Sequence, residues 1–193
     1  MVCGLLLTGG RSRRMGTDKA SLVLGGETLA ARAARRLTAV CETAVEVGSG
    51  VTGLSCVTEQ PSGSGPLAAL AAGGEALRDL GRDGPALLLA ADLPNVGVPL
   101  LELLRDWRGA PTAVPEVEGR LQPVCARYGP DEMVAASSLV LGGVRALHAL
   151  LDIVSFDVIP EAKWRAVGPP DAFVDVDTPE AAARLGIEFT RLP

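Results

Sequence analysis

The chain has 193 residues, a formal net charge of −5 and 3% aromatic residues. An acidic chain with no basic stripe is a poor nucleic-acid binder, because phosphate-backbone affinity needs many spread cations and single strands want stacking platforms. Its apolar runs, such as Ala86 to Ala91, are far short of a membrane span, and Val2 to Leu7 lacks the charged flank and cleavage site of a leader. The expectation is one domain over residues 1–193, soluble and cytoplasmic, without a membrane partner.

Short apolar runs alternate with helix-period segments along the chain. Val2–Leu7 reads as a strand, Thr28–Ala39 as a helix, Thr43–Val47 and Leu54–Val57 as strands, Leu67–Leu80 as a helix, Ala86–Ala90 as a strand and Pro99–Trp107 as a helix. Thr112–Pro115, Pro123–Arg127, Ile153–Ile159 and Phe173–Val176 are further strand candidates, and Val144 to Leu151 is a helical stretch carrying His148. A last helix has Thr178 as N-cap, Pro179 at its first position, Glu180 favourable to the dipole and Gly186 as stop. The alternation predicts an α/β fold, a mostly parallel sheet with helices on both faces.

Ligands of open α/β sheets bind beyond the carboxyl ends of the strands, which directs attention to Thr8–Lys19, Glu59–Pro66, Asp92–Asn95 and Asp175–Thr178. The first is the most informative. A buried strand delivers the chain to Gly9-Gly10, whose missing Cβ atoms let backbone N–H groups turn toward an anion, and Arg11, Arg13, Arg14 and Lys19 surround that point. Residues 11–19 carry a local charge of +3, leaving about −8 for the rest, so the basic character is a spot suited to a small phosphorylated ligand. The chain has two lysines, Lys19 and Lys163, against sixteen arginines. A compact ammonium reaches a phosphate as a point charge where a planar guanidinium does not fit. The loop is not a Walker P-loop, since Gly16 is followed by Thr-Asp-Lys, and it has no GxGxxG pattern.

Asp92 follows ALLLAA and precedes Leu-Pro, a hard oxygen donor at a strand mouth, where Mg²⁺ takes one or two carboxylates and completes its shell with substrate phosphates and water. EQPSGSGPL, from Glu59 to Leu67, is a glycine-rich turn into a helix that could wrap a base or ribose. DVDTP places Asp175 and Asp177 two apart, on one side if the segment is extended, so that one could join Asp92 on the metal; an Asp beside a helix cap is the competing reading. Cys3, Cys41, Cys56 and Cys125 stand singly and form no metal pattern, which suits small hydrophobes in a reducing compartment.

Together these segments resemble the molybdenum cofactor guanylyltransferases, which belong to the GT-A-like, Rossmann-like nucleotidyltransferases. TGGRSRRMGTDKA is similar to that family's LAGG-x-S-x-RMG-x-DKA opening, with Thr8 in place of the usual alanine, and the Asp18-Lys19 pair is more typical of the guanylyl than of the cytidylyl branch. GPLAAL at Gly65, ADLP at Asp92, GRLQPVCARY from Gly119 to Tyr128 and DVDTPEA come next in the family's order. The resemblance implies transfer of GMP from GTP to the phosphate of molybdopterin with Mg²⁺ as cofactor. Leu7, Thr8, Gly9 and Gly10 would meet the nucleotide with Glu59, Gln60 and Gly65; Arg11, Arg14 and Lys19 would stabilise the reacting phosphates; Asp92 would hold the metal with Asp177; and Arg120, Gln122 and Tyr128 would lie on the pterin side. Cofactor-biosynthesis or acceptor proteins are further partners in such a role.

Two departures bear on base choice: Gln60 stands where the family often has Asp, and an Asn after the second strand is replaced near Gly48. The alternatives are cytidylyl transfer to molybdopterin, nucleotidyl transfer to a sugar or polyol phosphate, and a catalytically weakened nucleotide-binding partner in cofactor delivery. The attacking phosphate is already ionised, so the reaction needs positioning and charge stabilisation more than a strong base. A chain with one histidine can perform it.

Overall fold

A computed structural model of the chain describes residues 1–9, 19–176 and 178–187. Strand β1 (Cys3–Leu7) is buried along its whole length. A one-turn 3-10 helix at Lys19–Ser21 and a small antiparallel ribbon, β2 (Val23–Leu24) with β3 (Glu27–Thr28), lead into helix α1 (Leu29–Thr38). The Thr28 hydroxyl caps that helix by accepting from the Ala31 N–H at 3.1 Å. Then come β4 (Ala44–Val47), β5 (Ser55–Val57), α2 (Pro66–Asp79), β6 (Ala86–Ala90), α3 (Val98–Arg105) and β7 (Ala113–Val117). The rest of the order is β8 (Arg120–Leu121), β9 (Cys125–Tyr128), α4 (Pro130–Leu141), α5 (Leu147–Leu151), β10 (Asp157–Ile159), α6 (Glu161–Trp164) and α7 (Pro179–Arg184).

The main sheet runs β10-β7-β9-β6-β1-β4-β5, with β8 hairpinned onto β7. β1 is parallel to both β4 and β6, while β9 is antiparallel to β6 and to β7. The sheet is therefore mostly parallel, as expected, with β9 inverted. The chain leaves β1 for β4 and β5 on one side and returns to β6 on the other, so the carboxyl ends of β1 and β6 form the topological switch point where such sheets bind ligands.

Side chains alternate across the sheet with the two-residue period of strands. Leu6, Leu87 and Leu89 pack with α1, α3 and Trp164 on one face; Leu5, Leu7, Leu88 and Val45 pack with α2, α4 and α5 on the other. The α2–α4 contact is close because Gly74 has no side chain: a Cβ there would stand 2.9 Å from Met133 Cβ.

Several expectations are corrected. Phe173–Val176 is not a strand; it comes after Pro169-Pro170 and reaches the residue just beyond β6, where Val176 N–H donates to the Asp92 carbonyl at 3.0 Å instead of to a ladder partner. The same-side arrangement expected of Asp175 and Asp177 thus loses its basis, and Asp177 lies outside the described residues. The Ile153–Ile159 strand contracts to Asp157–Ile159, and the helix around His148 begins only at Leu147. Helix α4 was not anticipated, although Pro130 at its first position, Asp131 and Glu132 in its first turn and Gly142-Gly143 beyond its end are ordinary helix punctuation.

Candidate functional site

The register of β1 against β6 pairs Leu7 with Ala90, so both strands end at the same level. Ala91 N–H extends the pairing by donating to the Leu7 carbonyl at 3.0 Å, and Gly9 and Asp92 therefore leave the sheet from neighbouring strand ends. Asp92 meets Lys19 there: Nζ is 3.1 Å from Oδ2, with the lysine side chain 18% and the aspartate side chain 26% exposed. Lys19, read from the sequence as a phosphate-reaching cation of the first loop, is largely covered and ion-paired. The loop after Asp92 is anchored from α1, where Arg36 Nη1 donates to the carbonyls of Pro94 at 2.6 Å and Val96 at 2.7 Å. Burial, with Arg32 and Arg35 nearby, lowers the Arg36 pKa.

On the β4 side the chain exit of β1 is tied down. Thr8 is buried, and its hydroxyl donates to Glu46 Oε1 at 2.5 Å while accepting from the Ser49 N–H at 3.0 Å. Leu7 is buried as well, which leaves Gly9 as the exposed residue of this exit. Gly48 lies directly against it: at φ +139°, a Cβ on Gly48 would stand 2.2 Å from Gly9 N. That contact explains why a side chain such as Asn is absent at this point.

After β5, Glu59 is buried and its Oε1 accepts from the Gly63 N–H at 2.8 Å. The same oxygen would be 3.9 Å from a Cβ on Gly9, so the carboxylate faces the end of β1. Gln60 is exposed beside it. Gly65 opens α2 at φ +97°, a conformation that favours glycine, and a Cβ there would come within 3.2 Å of the Arg145 carbonyl.

The structure thus gathers Gly9, Lys19, Asp92 and Glu59 around neighbouring strand ends. Gly10, Arg11, Arg14 and Asp177 lie outside the described residues. Arg120 is exposed on β8, and Gln122 lies just past that strand with its Nε2 donating to the Arg120 carbonyl at 3.1 Å. Tyr128 is corrected: it has no exposed surface, and its hydroxyl donates to the Pro123 carbonyl at 2.8 Å, so it is a core residue of β9 rather than a pterin contact. Burial raises its pKa far above the ordinary phenol value. Sequence reasoning missed Glu46 and Arg36, which hold the loops of the site from behind; a lone acid between two valines of β4 was the available signal for the first.

No helix among the described residues is long and apolar enough to cross a membrane. Among them there is also no cluster of three or more His, Cys, Asp or Glu suited to a metal. Asp92 nevertheless fits a Mg²⁺ ligand: its carboxylate is partly exposed at a strand mouth and already faces a cation, and magnesium commonly needs only one or two protein carboxylates when phosphates complete the shell.

Residues 4–154 match the family described as the MobA-like NTP transferase domain. The molybdenum cofactor guanylyltransferase of Cereibacter sphaeroides is 33% identical over 94% of this chain and 93% of its own length. The crystal structure of molybdopterin-guanine dinucleotide biosynthesis protein A from Archaeoglobus fulgidus covers 95% of this chain and 96% of that one, at 22% identity and a TM-score of 0.80. A Mycobacterium tuberculosis protein solved in complex with manganese has the same fold at 13% identity and a TM-score of 0.65, covering 95% of this chain and 97% of its own. With more than half its length matched by that family, the chain belongs to the MobA-like NTP transferases.

Proposed function

We propose that the chain is a molybdenum cofactor guanylyltransferase, transferring GMP from GTP to the terminal phosphate of molybdopterin. A phosphate oxygen of molybdopterin attacks the α-phosphorus of GTP, the bond from that phosphorus to the α–β bridging oxygen breaks, and pyrophosphate leaves with the electron pair. The observation that carries the reading is the Lys19–Asp92 pair at the shared mouth of β1 and β6, a cation and a hard carboxylate held at the strand ends where open α/β sheets take their ligands. The Cereibacter relative's activity supports the choice of guanylyl transfer.

In this reading Lys19 stabilises charge on the transferring phosphate, and Gly9 offers its exposed backbone edge to the nucleotide. Glu59, facing the end of β1, accepts from the donor edge of guanine. Asp92 would hold Mg²⁺, with Asp175 or Asp177 as the candidate second carboxylate; bound there, the metal would neutralise phosphate charge. The manganese-bound structure of the Mycobacterium protein supports a divalent ion in this fold. Arg120 and Gln122 remain the proposed pterin-side residues.

The test is pyrophosphate release with Mg²⁺ and molybdopterin against GTP, CTP, UTP and ATP in parallel. Release with GTP above the other three supports the proposal. Preference for CTP moves the chain to cytidylyl transfer, and nucleotide binding without release makes it a binding partner rather than an enzyme.

A further inference from the structure

Glu46 has no exposed surface, and the register that pairs β4 with β1 sets it opposite Leu6. A buried carboxylate is retained only where its acceptor sites are filled. Here four donors fill them: Thr8 Oγ1 at 2.5 Å and Val51 N–H at 2.9 Å on Oε1, Thr52 N–H at 2.9 Å and Thr52 Oγ1 at 2.5 Å on Oε2. Burial pushes its pKa up, but the hydrogen bonds from Thr52, Thr8 and the Val51 and Thr52 backbone outweigh that and hold it below the ordinary value.

These donors come from two separate segments, the exit of β1 and the turn between β4 and β5. Thr8 passes the connection on: its hydroxyl accepts from Ser49 N–H at 3.0 Å, and its carbonyl accepts from Ser49 Oγ at 3.1 Å. Gly48 and Gly9 then press together with no room for a side chain at Gly48. The exposed backbone of Gly9 is thus backed by Gly48 and Ser49, and these by Glu46.

We propose that Glu46 is a positioning residue for the nucleotide: through Thr8 and Ser49 it fixes the backbone of Gly9 and the β4–β5 turn as one rigid wall of the nucleoside pocket, without touching the ligand itself. The inference rests on the nucleotide-transfer reading above. Because it acts on the shape of the binding wall and not on the reacting phosphates, its loss appears in nucleotide affinity and leaves the chemical step of the saturated enzyme nearly intact.

The experiment measures GTP affinity by calorimetry, and kcat and KM for GTP and molybdopterin, in wild type, Glu46→Gln, Thr8→Val, Thr8→Ser and the Glu46→Gln/Thr8→Val double variant, each checked by thermal melting. Glu46→Gln turns an amide toward groups that donate, and Thr8→Val keeps the shape while removing the hydroxyl. Each is expected to weaken GTP binding about tenfold, the scale of one good polar contact, with kcat within about twofold and the molybdopterin KM unchanged. Thr8→Ser is expected to recover most of the affinity, and the double variant to be no weaker than the worse single one, as for two members of one connection. If Glu46→Gln does not fold, the Thr8→Val and Thr8→Ser pair decides alone. Wild-type GTP affinity in Thr8→Val and any folded Glu46→Gln, strictly additive losses, or a fall in kcat with affinity kept would each overturn the proposal. A wild type that binds no GTP would overturn it together with the transfer reading, whereas a binding wild type with unaffected variants would overturn this inference alone.

Discussion

Lys19 and Asp92, 73 residues apart in sequence, are joined by a 3.1 Å hydrogen-bonded ion pair at the mouth of the sheet. Both side chains keep some exposure, 18% and 26%, so the pair contributes little to stability, on the order of 1 kcal/mol or less. Its value is positional. The pair keeps an ammonium and a carboxylate at the place where phosphates and a divalent ion are proposed to bind, and each can turn from its partner to a ligand of opposite charge at small cost.

Lys19→Ala is therefore expected to melt within a few degrees of wild type while transfer falls by about 10²–10³, the usual effect of removing one charge partner of a transition state. Lys19→Arg should also be impaired, because the broad guanidinium fork does not reproduce a point charge. Steady-state rates for both variants check this; near wild-type turnover in the two would remove Lys19 from the chemistry.

Asp92→Asn keeps the shape of the side chain and loses its charge. It is expected to abolish divalent-dependent turnover while weakening GTP binding less, giving binding without chemistry. A Mg²⁺ titration of activity beside a GTP calorimetric titration separates the two effects. Parallel measurements on Asp175→Asn and Asp177→Asn identify the second ligand; an unchanged metal requirement in Asp92→Asn would exclude Asp92 from the site.

The strand ends of this site were legible because five-residue apolar runs such as Cys3–Leu7 and Ala86–Ala90 suit central strands buried on both faces, and the residues just beyond a central strand lie at the sheet's mouth. The direction of β9 was not legible, since a two-residue period is the same in either direction and only its pairing, such as Ala113 opposite Arg127, reveals it. Tyr128 was misassigned for a related reason. A tyrosine at a strand end reads equally well as a ligand contact or as a core residue with a satisfied hydroxyl, and the carbonyl of Pro123 decided it. Glu46 looks like the solvent-facing residue of an alternating strand; nothing local announces that Thr8, 38 residues earlier, comes to meet it.

Tyr128→Phe tests that correction. Removing the hydroxyl leaves the buried Pro123 carbonyl without this donor and is expected to cost about 1–3 kcal/mol of stability, with KM for molybdopterin unchanged. Arg120→Ala, at an exposed position on β8, is expected to do the opposite: little change in stability and a raised molybdopterin KM. Urea melts and acceptor kinetics on the two variants distinguish packing from contact, and a raised KM in Tyr128→Phe would restore it to the pterin side.

Acid stability should report the Glu46 carboxylate. Its pKa is held below the ordinary value in the folded chain, so on acidification the unfolded chain takes up this proton first. The resulting stability is complete above about pH 5 and is lost as the pH falls through the folded pKa. Glu46→Gln has no proton to take up at this position. Its unfolding free energy is expected to be lower at neutral pH yet to fall less steeply between roughly pH 5 and pH 3, the range that runs through the ordinary carboxylate value and below it. Other depressed carboxylates, such as Asp157, form a background that both proteins share. Parallel slopes in urea melts across that range would mean that Glu46 titrates alike in the folded and unfolded chain.

Base choice is expected to turn on Glu59 and Gln60, the two residues proposed to face the base. Guanine presents N1–H and N2–H₂ donors, best met by a carboxylate or paired carbonyls; Gln60 supplies one side-chain acceptor, while the buried Glu59 carboxylate already accepts from Gly63 and faces the end of β1. A carboxylate with one oxygen so engaged still has acceptor capacity for the base, so GTP is expected to be the favoured nucleotide, with modest selectivity. Gln60→Asp adds a second carboxylate from an exposed position and is expected to widen the preference for GTP over CTP and ATP by roughly tenfold to a hundredfold, the equivalent of about 1–3 kcal/mol. Glu59→Gln should narrow it by a similar factor. Calorimetric titrations of wild type and both variants with the three triphosphates make the comparison. A wild-type preference for CTP with normal transfer to molybdopterin would assign the chain to cytidylyl transfer, while the proposed roles of Lys19 and Asp92 would stand, because they concern phosphate and metal and not the base.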